Sequence, residues 1–498
     1  MSSKALYQDY ITKMHKIADV KNTLALMQWD QETYLPPKGA DIRGQQMATL
    51  SEIAHGLFAA DDLGGVLKDL SSVNDLSFTE QRNVALTLED YNKNKKYSGA
   101  FVRALSEATS KSYHAWIEAR KQNDFDVFKN ALDTLVKLKI EETHILGFEK
   151  NPYDALLNEY EKGATVKWLD DVFNQLQLPL KQLLSSIAQK EQPDESFLHQ
   201  HFDKDAQWTF GLEMLKKMGY DFDAGRQDIS AHPFTTSFNA RDVRLTTRID
   251  ENDFTSMTWS CLHEGGHGLY EQGLPAKEYG LPSGEYCSLG IHESQSRLWE
   301  NCIGRSLEFI RYNLAAIQQY FPALKGVTAL QLFKAINKVQ PSLIRTEADE
   351  LTYHFHVMIR YEVEKRLIDG TLPVKEVPEF WNENYKKYLG VDVPDAKNGC
   401  LQDIHWSHGS FGYFPTYSLG SLYAAQFYAF MQKKYPDLTN EIAHGNYSNI
   451  HQWLQTNIYQ HGKTYTSNEL CNKATGQSLA MSYFMQYLNN KYQMIYHD

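Results

Sequence analysis

The segment CLHEGGHGLY, Cys261–Tyr270, contains the pattern H-E-x-x-H. On an α-helix, His263 and His267 lie about 40° apart around the axis and one turn apart along it. Both imidazoles can therefore reach one zinc ion at roughly 2.0–2.1 Å. Glu264 lies about 100° around the helix from His263, where it can take a proton from a water that attacks a peptide carbonyl. The pattern thus predicts metal-assisted peptide hydrolysis with Glu264 as general base.

A catalytic zinc ion needs a third protein ligand and keeps one position for water. Downstream, the helical run SLGIHESQSRLWENCIGRSL has His292 and Glu293 near its start. We expect Glu293 to be the ligand, since a helix packed antiparallel on the first would return it to the metal, whereas His292 points about 100° away. Taken alone, a first-turn glutamate is more often exposed, and only its combination with H-E-x-x-H favours the ligand.

Glycine at positions 265, 266 and 268 is unusual within a helix, where each costs roughly 1 kcal/mol relative to alanine. With His263 as origin, Gly265 and Gly268 fall at about 200° and 140°, away from the metal. We expect a neighbouring helix or strand to approach the backbone there, so that Gly265→Leu overpacks. Gly266, at about 300°, is expected instead to keep bulk away from the groove beside the ligands.

The elements that must position these residues are mostly helical. Apolar residues recurring every three or four positions predict helices over 4–29, 40–58, 79–91, 101–120, 125–146, 166–188, 206–218, 254–272, 285–320, 342–367, 377–388, 417–433 and 481–492. Segments 151–159 and 192–196 are interpreted as connectors. His232–Asp250 alternates polar and apolar residues and predicts a hairpin or small sheet, with its turn near Asn239 and Ala240. Without a linker or repeat, we expect one continuous domain over 1–498.

Net charge, cysteine spacing and apolar segments limit the possible partners and cellular location of the protein. The 498 residues carry a net charge of −12 without a run of Lys and Arg, which argues against a nucleic-acid partner. The five cysteines are odd in number and form no C-x-x-C pair, so neither a disulfide framework nor a thiolate zinc site is indicated. The N-terminus lacks the apolar core of a signal peptide, and the longest apolar patch, Leu422–Met431, is too short to cross a bilayer. We expect a cytoplasmic protein with no membrane partner.

Six segments in order resemble the carboxypeptidase Taq family of metallocarboxypeptidases. They are MQWDQETYLPPKGADIRGQQMATLSEIAH, HPFTTSF followed by DVRLTTR, HEGGH, HESQSRLWEN, IRTEADELTYHFHVMIRYEVE and GCLQDIHWSHGSFGYFPTYSLGSLYAAQ. They extend from about Trp29 to Gln426. The resemblance implies a mainly α fold, similar to angiotensin-converting enzyme and neurolysin-like peptidases. This fold is a large helical domain with a long deep active-site groove, a small β-sheet beside the H-E-x-x-H helix, and N-terminal helices of about residues 1–120 covering the groove.

The resemblance also implies the reaction and its cofactor. It implies a homodimer with one zinc ion per chain, or cobalt, which accepts the same two imidazoles and carboxylate. The implied reaction is removal of single C-terminal residues, with broad specificity, from peptides with a free C-terminus. Carried over residue by residue, the ligands fall on His263, His267 and Glu293, and the general base falls on Glu264.

A carboxypeptidase must hold a free C-terminal carboxylate, which the planar fork of arginine binds best. Arg345, in LIRTEADEL at the start of a long amphipathic helix, is the candidate, mainly because the segment matches the family. The alternative is an ordinary ion pair, for instance with Asp349 at i+4. Glu347, Asp349 and Glu350 are expected to be structural acids, or partners of a zinc-bound imidazole.

The developing oxyanion needs hydrogen-bond donors besides the metal. The Gly- and Pro-rich stretch LQDIHWSHGSFGYFPTY supplies His405, His408, Tyr413 and Tyr417. We favour His405 and Tyr417 as catalytic, with His408 and Tyr413 contacting substrate, although packing under a loop explains Tyr413 equally well. His232 could line the groove at the sheet edge, with a simple turn residue before proline as its alternative.

Two other functions stay open at this point. An endo-oligopeptidase on the same helical scaffold would have a groove open at both ends and no arginine clamp. A helical interaction protein would carry H-E-x-x-H by chance, but six matching segments make this reading improbable.

Overall fold

The computed structural model describes residues 2–496. In chain order the α-helices are α1 Ser3–Thr33, α2 Ala40–Phe58, α3 Asp61–Ser71, α4 Phe78–Lys96, α5 Gly99–Gln122, α6 Asp126–Leu146, α7 Tyr153–Tyr160, α8 Val166–Ile187, α9 Lys204–Met218, α10 Phe254–Gly273, α11 Leu289–Arg297, α12 Leu307–Tyr320, α13 Ala329–Ile336, α14 Tyr353–Ile368, α15 Val377–Leu389, α16 Pro415–Lys434, α17 Leu438–Ala443, α18 Ser448–Asn457, α19 Ser467–Thr475 and α20 Met481–Tyr496. The strands are β1 Gly225–Ile229, β2 Thr235–Asn239 and β3 Asp242–Thr247. The expectation of a mainly α fold with a small sheet is confirmed.

The described residues form two compact units. The first contains the residues up to Lys95, Asp194–Ile336 and Phe427–Ser478. The second contains Lys96–Pro193, Asn337–Gln426 and the described residues from Leu479 onward. Throughout the part of the chain that the structure covers, no helix is both long and apolar enough to cross a membrane.

Helix α1 packs in the first unit through one apolar stripe. Tyr7, Tyr10, Met14 and Ile17 follow each other at intervals of three or four residues, and all are buried in one cluster. This spacing places them on one face of a helix. The remaining buried members of this cluster come from α3, α4 and the segments that follow α3 and precede α11: Leu63, Leu67, Leu70, Leu76, Val84, Tyr91 and Leu281.

The three-stranded sheet has the order β1–β3–β2. The predicted hairpin is confirmed, since β2 and β3 pair antiparallel with Thr236 opposite Arg244 and with a register shift between Ser237 and Asn239. Strand β1 was not anticipated and pairs with β3 in parallel. Its sequence, GRQDI, contains only one β-branched residue, Ile229, and no aromatic residue, so it carries little of the signal that marks a strand.

The glycines of α10 allow its neighbours to pack closely. A Cβ at Gly265 would lie 2.7 Å from Leu215 of α9, and one at Gly268 would lie 2.9 Å from Leu245 of β3. The expected close approach at both positions is confirmed. The interpretation of Gly266 was wrong, because a Cβ there would lie 2.5 Å from the carbonyl oxygen of Gln295. Gly266 therefore lets the backbone of α11 approach α10.

The helix predicted over 285–320 is not one continuous α-helix in the structure. After α11 the chain continues as a π-helix, Leu298–Gly304, and then restarts as α12. The side chains of Ser288 and Ser306 cap α11 and α12 by accepting backbone N–H groups. Serine at these N-cap positions supplies the start signal that apolar periodicity alone does not show.

The start of one helix and the assignment of one connector also differ from the prediction. Helix α14 starts only at Tyr353, because the Asp349 carboxylate accepts the N–H groups of Leu351 and Thr352, each at 2.9 Å, in a local turn. Arg345 consequently lies in a short 3₁₀ turn rather than at the start of a long helix. The supposed connector 151–159 contains most of α7.

Candidate metal centre and substrate-binding residues

Helices α10 and α11 bring the three predicted ligands together within the first unit. The Nε2 atoms of His263 and His267 lie 3.9 and 3.6 Å from Oε2 of Glu293. One ligand atom from each residue lies within 4.8 Å of the other two. Ligand atoms bound to one tetrahedral ion lie roughly 3.3 Å apart, so small side-chain shifts would complete the site. Two imidazoles and one carboxylate fit a catalytic divalent metal.

Glu264 is buried on α10 beside this cluster. Its Oε2 accepts a hydrogen bond of 2.6 Å from the hydroxyl of Thr235 on β2. Burial raises the pKa of Glu264, although His263 and the Thr235 hydroxyl oppose the shift. A carboxylate with a raised pKa is a better proton acceptor at neutral pH, which suits a general base.

A carboxylate orients His263 by contacting the ring nitrogen that does not face Glu293. The Nδ1 atom of His263 lies 2.8 Å from Oε2 of Glu300, which belongs to the π-helix. Arg297 donates to Glu293 at 2.7 Å and to Glu300 at 3.2 Å. Burial disfavours charge on Glu300, but Arg297 and His263 outweigh it and hold the pKa of this carboxyl well below its usual range. Such a carboxylate fixes the tautomer of a metal-binding imidazole.

His267 has a different partner. Its Nδ1 lies 2.6 Å from Nδ1 of His292, and Nε2 of His292 lies 2.8 Å from Oε1 of Glu271. His292 therefore contacts Nδ1 of the proposed ligand His267 and is not part of the cluster formed by His263, His267 and Glu293. Burial, followed by the neighbouring histidines, lowers the pKa of His267 well below its usual value.

Arg345 is buried in the second unit and forms an internal ion pair. Its Nε and Nη2 lie 2.9 Å from Oδ1 of Asp403, and its Nη1 donates to the Tyr353 hydroxyl at 2.8 Å. The ion pair considered with Asp349 does not form, because Asp349 accepts instead from Thr352 at 2.6 Å. The arginine is thus positioned by a carboxylate far away in the sequence.

A second guanidinium shares the same carboxylate. Arg360 donates from Nε to Oδ2 of Asp403 at 2.6 Å. Burial opposes the charge on Asp403, but the two arginines hold its pKa well below the usual range. Two guanidinium groups and one carboxylate leave this group with an excess positive charge.

Three of the four predicted residues in the late loop lie together. The Nε2 of His405 is 3.0 Å from the Tyr417 hydroxyl, and the ring centroids of Tyr413 and Tyr417 are 5.2 Å apart. Burial lowers the pKa of His405 to about 3, with Asp403 opposing the shift and both nearby arginines adding to it. The ring is therefore neutral at pH 7 and carries a single N–H donor.

The other two predicted substrate-binding histidines are exposed. His408 packs against the ring of Tyr113, with the centroids 5.1 Å apart. His232 lies in the bend before β2, where its backbone carbonyl accepts a hydrogen bond of 2.6 Å from Ser230. This contact agrees with a role in the turn, and the ring lies outside the cluster of His263, His267 and Glu293.

Two of the acids near Arg345 have partners of their own. Glu350 forms a buried ion pair of 2.7 Å with Lys491, and Asp349 stabilises its own turn, so both are structural. Two acids, Glu300 and Glu271, contact His263 and His292, and the Thr235 hydroxyl contacts Glu264. None of these three partners was predicted from the sequence. Glu271 follows His267 by one helical turn, and this i, i+4 spacing was the available signal.

The chain is similar to known carboxypeptidases over nearly its whole length. The profile of the family described as Carboxypeptidase Taq (M32) metallopeptidase matches residues 9–492. Carboxypeptidase 1 of Bacillus subtilis is 37% identical over 492 residues, which cover 98% of each chain. A solved structure named CHT is 59% identical, with a TM-score of 0.96 over 98% of this chain and 99% of its own. The M32 carboxypeptidase of Deinococcus radiodurans is 38% identical, with a TM-score of 0.97 over 99% of this chain and 100% of its own.

These matches and the cluster of two histidines and a glutamate define a peptidase that depends on a divalent metal. The chain belongs to the carboxypeptidase Taq family of metallopeptidases, as the sequence resemblance predicted.

Proposed function

We propose that this protein removes single C-terminal residues, with broad specificity, from peptides with a free C-terminus. One zinc ion per chain would be held by His263, His267 and Glu293, and cobalt suits the same donors. The observation that carries the proposal is the convergence of these three ligand atoms within 4.8 Å, beside Glu264.

The bound metal supplies Lewis acidity toward water and the peptide carbonyl. Glu264 takes a proton from the attacking water and returns it to the leaving amine. Thr235 holds the Glu264 carboxylate in one orientation through its hydrogen bond of 2.6 Å. A fixed base avoids the reorganisation that a mobile side chain would require in the transition state.

We assign recognition of the C-terminal carboxylate to Arg345. In support, the guanidinium groups of Arg345 and Arg360 both pair with the one carboxylate of Asp403, so their group retains positive charge for an anion. Desolvation strengthens the attraction between that charge and a bound carboxylate. Asp403 also fixes the guanidinium, which lowers the entropy that binding would otherwise cost.

His405 and Tyr417 are proposed as hydrogen-bond donors to the developing oxyanion. A neutral imidazole has one N–H to donate, and a phenol has one O–H. Tyr413, His408 and His232 are proposed to contact the substrate. The exposure of His408 and His232 leaves both rings accessible to a peptide.

One digestion tests the function. The protein is stripped of metal with a chelator, reconstituted with zinc or cobalt, and incubated with a blocked dipeptide and with its C-terminal amide. We expect activity only after reconstitution, and much faster cleavage of the free acid than of the amide. A set of peptides with different last residues tests breadth. Equal cleavage of the amide, or internal cuts in longer peptides, would favour the endo-oligopeptidase and overturn the assignment.

We further propose a cytoplasmic homodimer. All five cysteines are buried and none forms a disulfide, as is common in a reducing compartment. The dimer is supported by the family resemblance. Light scattering should give twice the chain mass of 57.3 kDa, and a monomeric mass would contradict the dimer.

A further inference from the structure

The two imidazoles of the proposed metal site have different hydrogen-bond partners. His263 contacts the carboxylate of Glu300 directly. His267 contacts a second imidazole, His292, and the His292 ring in turn contacts the carboxylate of Glu271. The three residues behind His267 thus form a chain, His267–His292–Glu271, with links of 2.6 and 2.8 Å.

Only one distribution of protons satisfies every link of this chain when a metal is bound. Since Nε2 of His267 faces Glu293, it must offer a lone pair to the ion, and its proton lies on Nδ1. That N–H donates to Nδ1 of His292, which must then be the acceptor. The remaining N–H of His292, on Nε2, donates to Glu271. Each ring is therefore held in one tautomer by the next group.

The packing around His292 prevents the ring from turning. Tyr270 and Tyr286 contact it edge to face, with centroid separations of 5.3 and 4.9 Å. Tyr270 is itself fixed, because its hydroxyl accepts the backbone N–H of Cys287 at 3.0 Å. The side chains of His292 and Glu271 are 13% and 10% exposed, so little water competes for their hydrogen bonds.

We propose that His292 and Glu271 are positioning residues that fix the rotation and tautomer of the His267 ring for metal binding. The inference rests on the proposed metal site. Partners of this kind behind a metal ligand typically change metal affinity by about 10- to 100-fold when removed. The effect operates before substrate binds, so it is measurable without turnover.

The test measures zinc affinity by competition with a chelator, and the visible spectrum of the cobalt-loaded protein. His292→Ala and Glu271→Ala should each weaken zinc binding about 10- to 100-fold and alter the cobalt spectrum. His292→Gln keeps an acceptor for the His267 N–H and should lie between wild type and His292→Ala. The matched controls are His444→Ala and Glu251→Ala, two exposed positions that should bind both metals as wild type does.

A fourth variant separates this inference from the proposed function. His263→Ala should lose metal if the proposed site is correct. If His263→Ala loses metal while the His292 and Glu271 variants keep wild-type affinity and spectrum, the positioning role is overturned and the function stands. If His263→Ala also binds metal normally, the proposed site itself fails. Should His292→Ala not fold, His292→Gln and Glu271→Ala decide the question by the same criteria.

Discussion

The Thr235 hydroxyl donates a hydrogen bond of 2.6 Å to Oε2 of Glu264, which joins the edge strand β2 to the helix that carries both histidines. The same hydroxyl lies 3.3 Å from the backbone carbonyl of Glu264. This strand therefore acts on the proposed general base directly.

Replacing Thr235 by valine removes the hydroxyl and keeps the shape. Because hydrogen bonds to charged groups contribute roughly 1.5–3 kcal/mol, we expect kcat to fall about 10- to 100-fold with metal content unchanged. Thr235→Ser should retain most activity. Thr236→Val is the matched control, since neighbouring residues of a strand face opposite sides. Wild-type kcat in Thr235→Val would show that the hydrogen bond does not matter for the base.

Glu264→Gln should keep the metal and lose at least ~100-fold in kcat, because the amide cannot accept the proton. Metal content by elemental analysis and turnover of the blocked dipeptide check this together. Glu251→Gln, at an exposed position before α10, controls for the substitution itself. Retained turnover in Glu264→Gln would show that Glu264 is not the general base.

Arg345→Ala should lower kcat/KM on free-acid substrates by at least ~10-fold and leave the slow reaction on amides unchanged, because only the former carry the carboxylate. Arg366→Ala, on the partly exposed end of α14, is the control in the same unit. Circular dichroism should show that both variants fold. If Arg345→Ala loses the same factor on acids and amides, its role is structural, through Asp403.

The two central glycines of HEGGH should differ in their tolerance of alanine. At Gly266 the new Cβ would meet the backbone of α11, which carries Glu293, whereas at Gly265 it would meet the ends of the Leu215 and Met218 side chains. Gly266→Ala should therefore weaken zinc binding and lower the melting temperature more than Gly265→Ala, and Gly265→Leu should overpack. Gly65→Ala, on α3 with open space around it, is the control. Equal effects at Gly265 and Gly266 would contradict the close contact with α11.

Glu364 should make stability depend on pH. This buried carboxylate accepts hydrogen bonds from the indole of Trp406 at 2.9 Å and the N–H of Gly412 at 2.8 Å, and also from the Tyr153 hydroxyl. Burial raises its pKa from 4.5 to about 7, although these donors oppose the shift. Between these values the folded chain keeps a proton that the unfolded chain releases, so its stabilising contribution falls as pH rises.

Glu364→Gln does not titrate and should flatten that slope. Melting temperatures of both proteins between pH 5 and 8 check the expectation, with the more exposed Glu376→Gln as control. Parallel curves for wild type and Glu364→Gln would show that Glu364 does not titrate in this window.

The sequence predicted those features that depend on local spacing. His263 and His267 share a helical turn, and the β2–β3 hairpin joins neighbouring segments, so periodicity sufficed for both. Glu293 required only one loop and a returning helix. Helices α3, α13 and α17–α19 were not anticipated, and most of them have ten residues or fewer, too short for a clear period.

The partners that orient the site depend on long-range packing and could not be predicted in the same way. Asp403 reaches Arg345 across 58 positions, and Thr235 reaches Glu264 across 29. Glu300 was hidden for another reason, since the period of an ordinary α-helix does not hold through the π-helix. Ordinary carboxylates and hydroxyls carry no signal of such contacts before the fold is known.

The π-helix Leu298–Gly304 also determines which changes in chain length the metal centre tolerates. A π turn resembles an α turn that has taken in an extra residue. Deleting one residue between Glu293 and Glu300 would move Glu300 by one position relative to Glu293, and one position on an α-helix is about 100° around the axis. Glu300 would then leave His263, although every ligand was still encoded. Insertions and deletions in this turn, more than substitutions, are the changes that would uncouple metal binding from the fold.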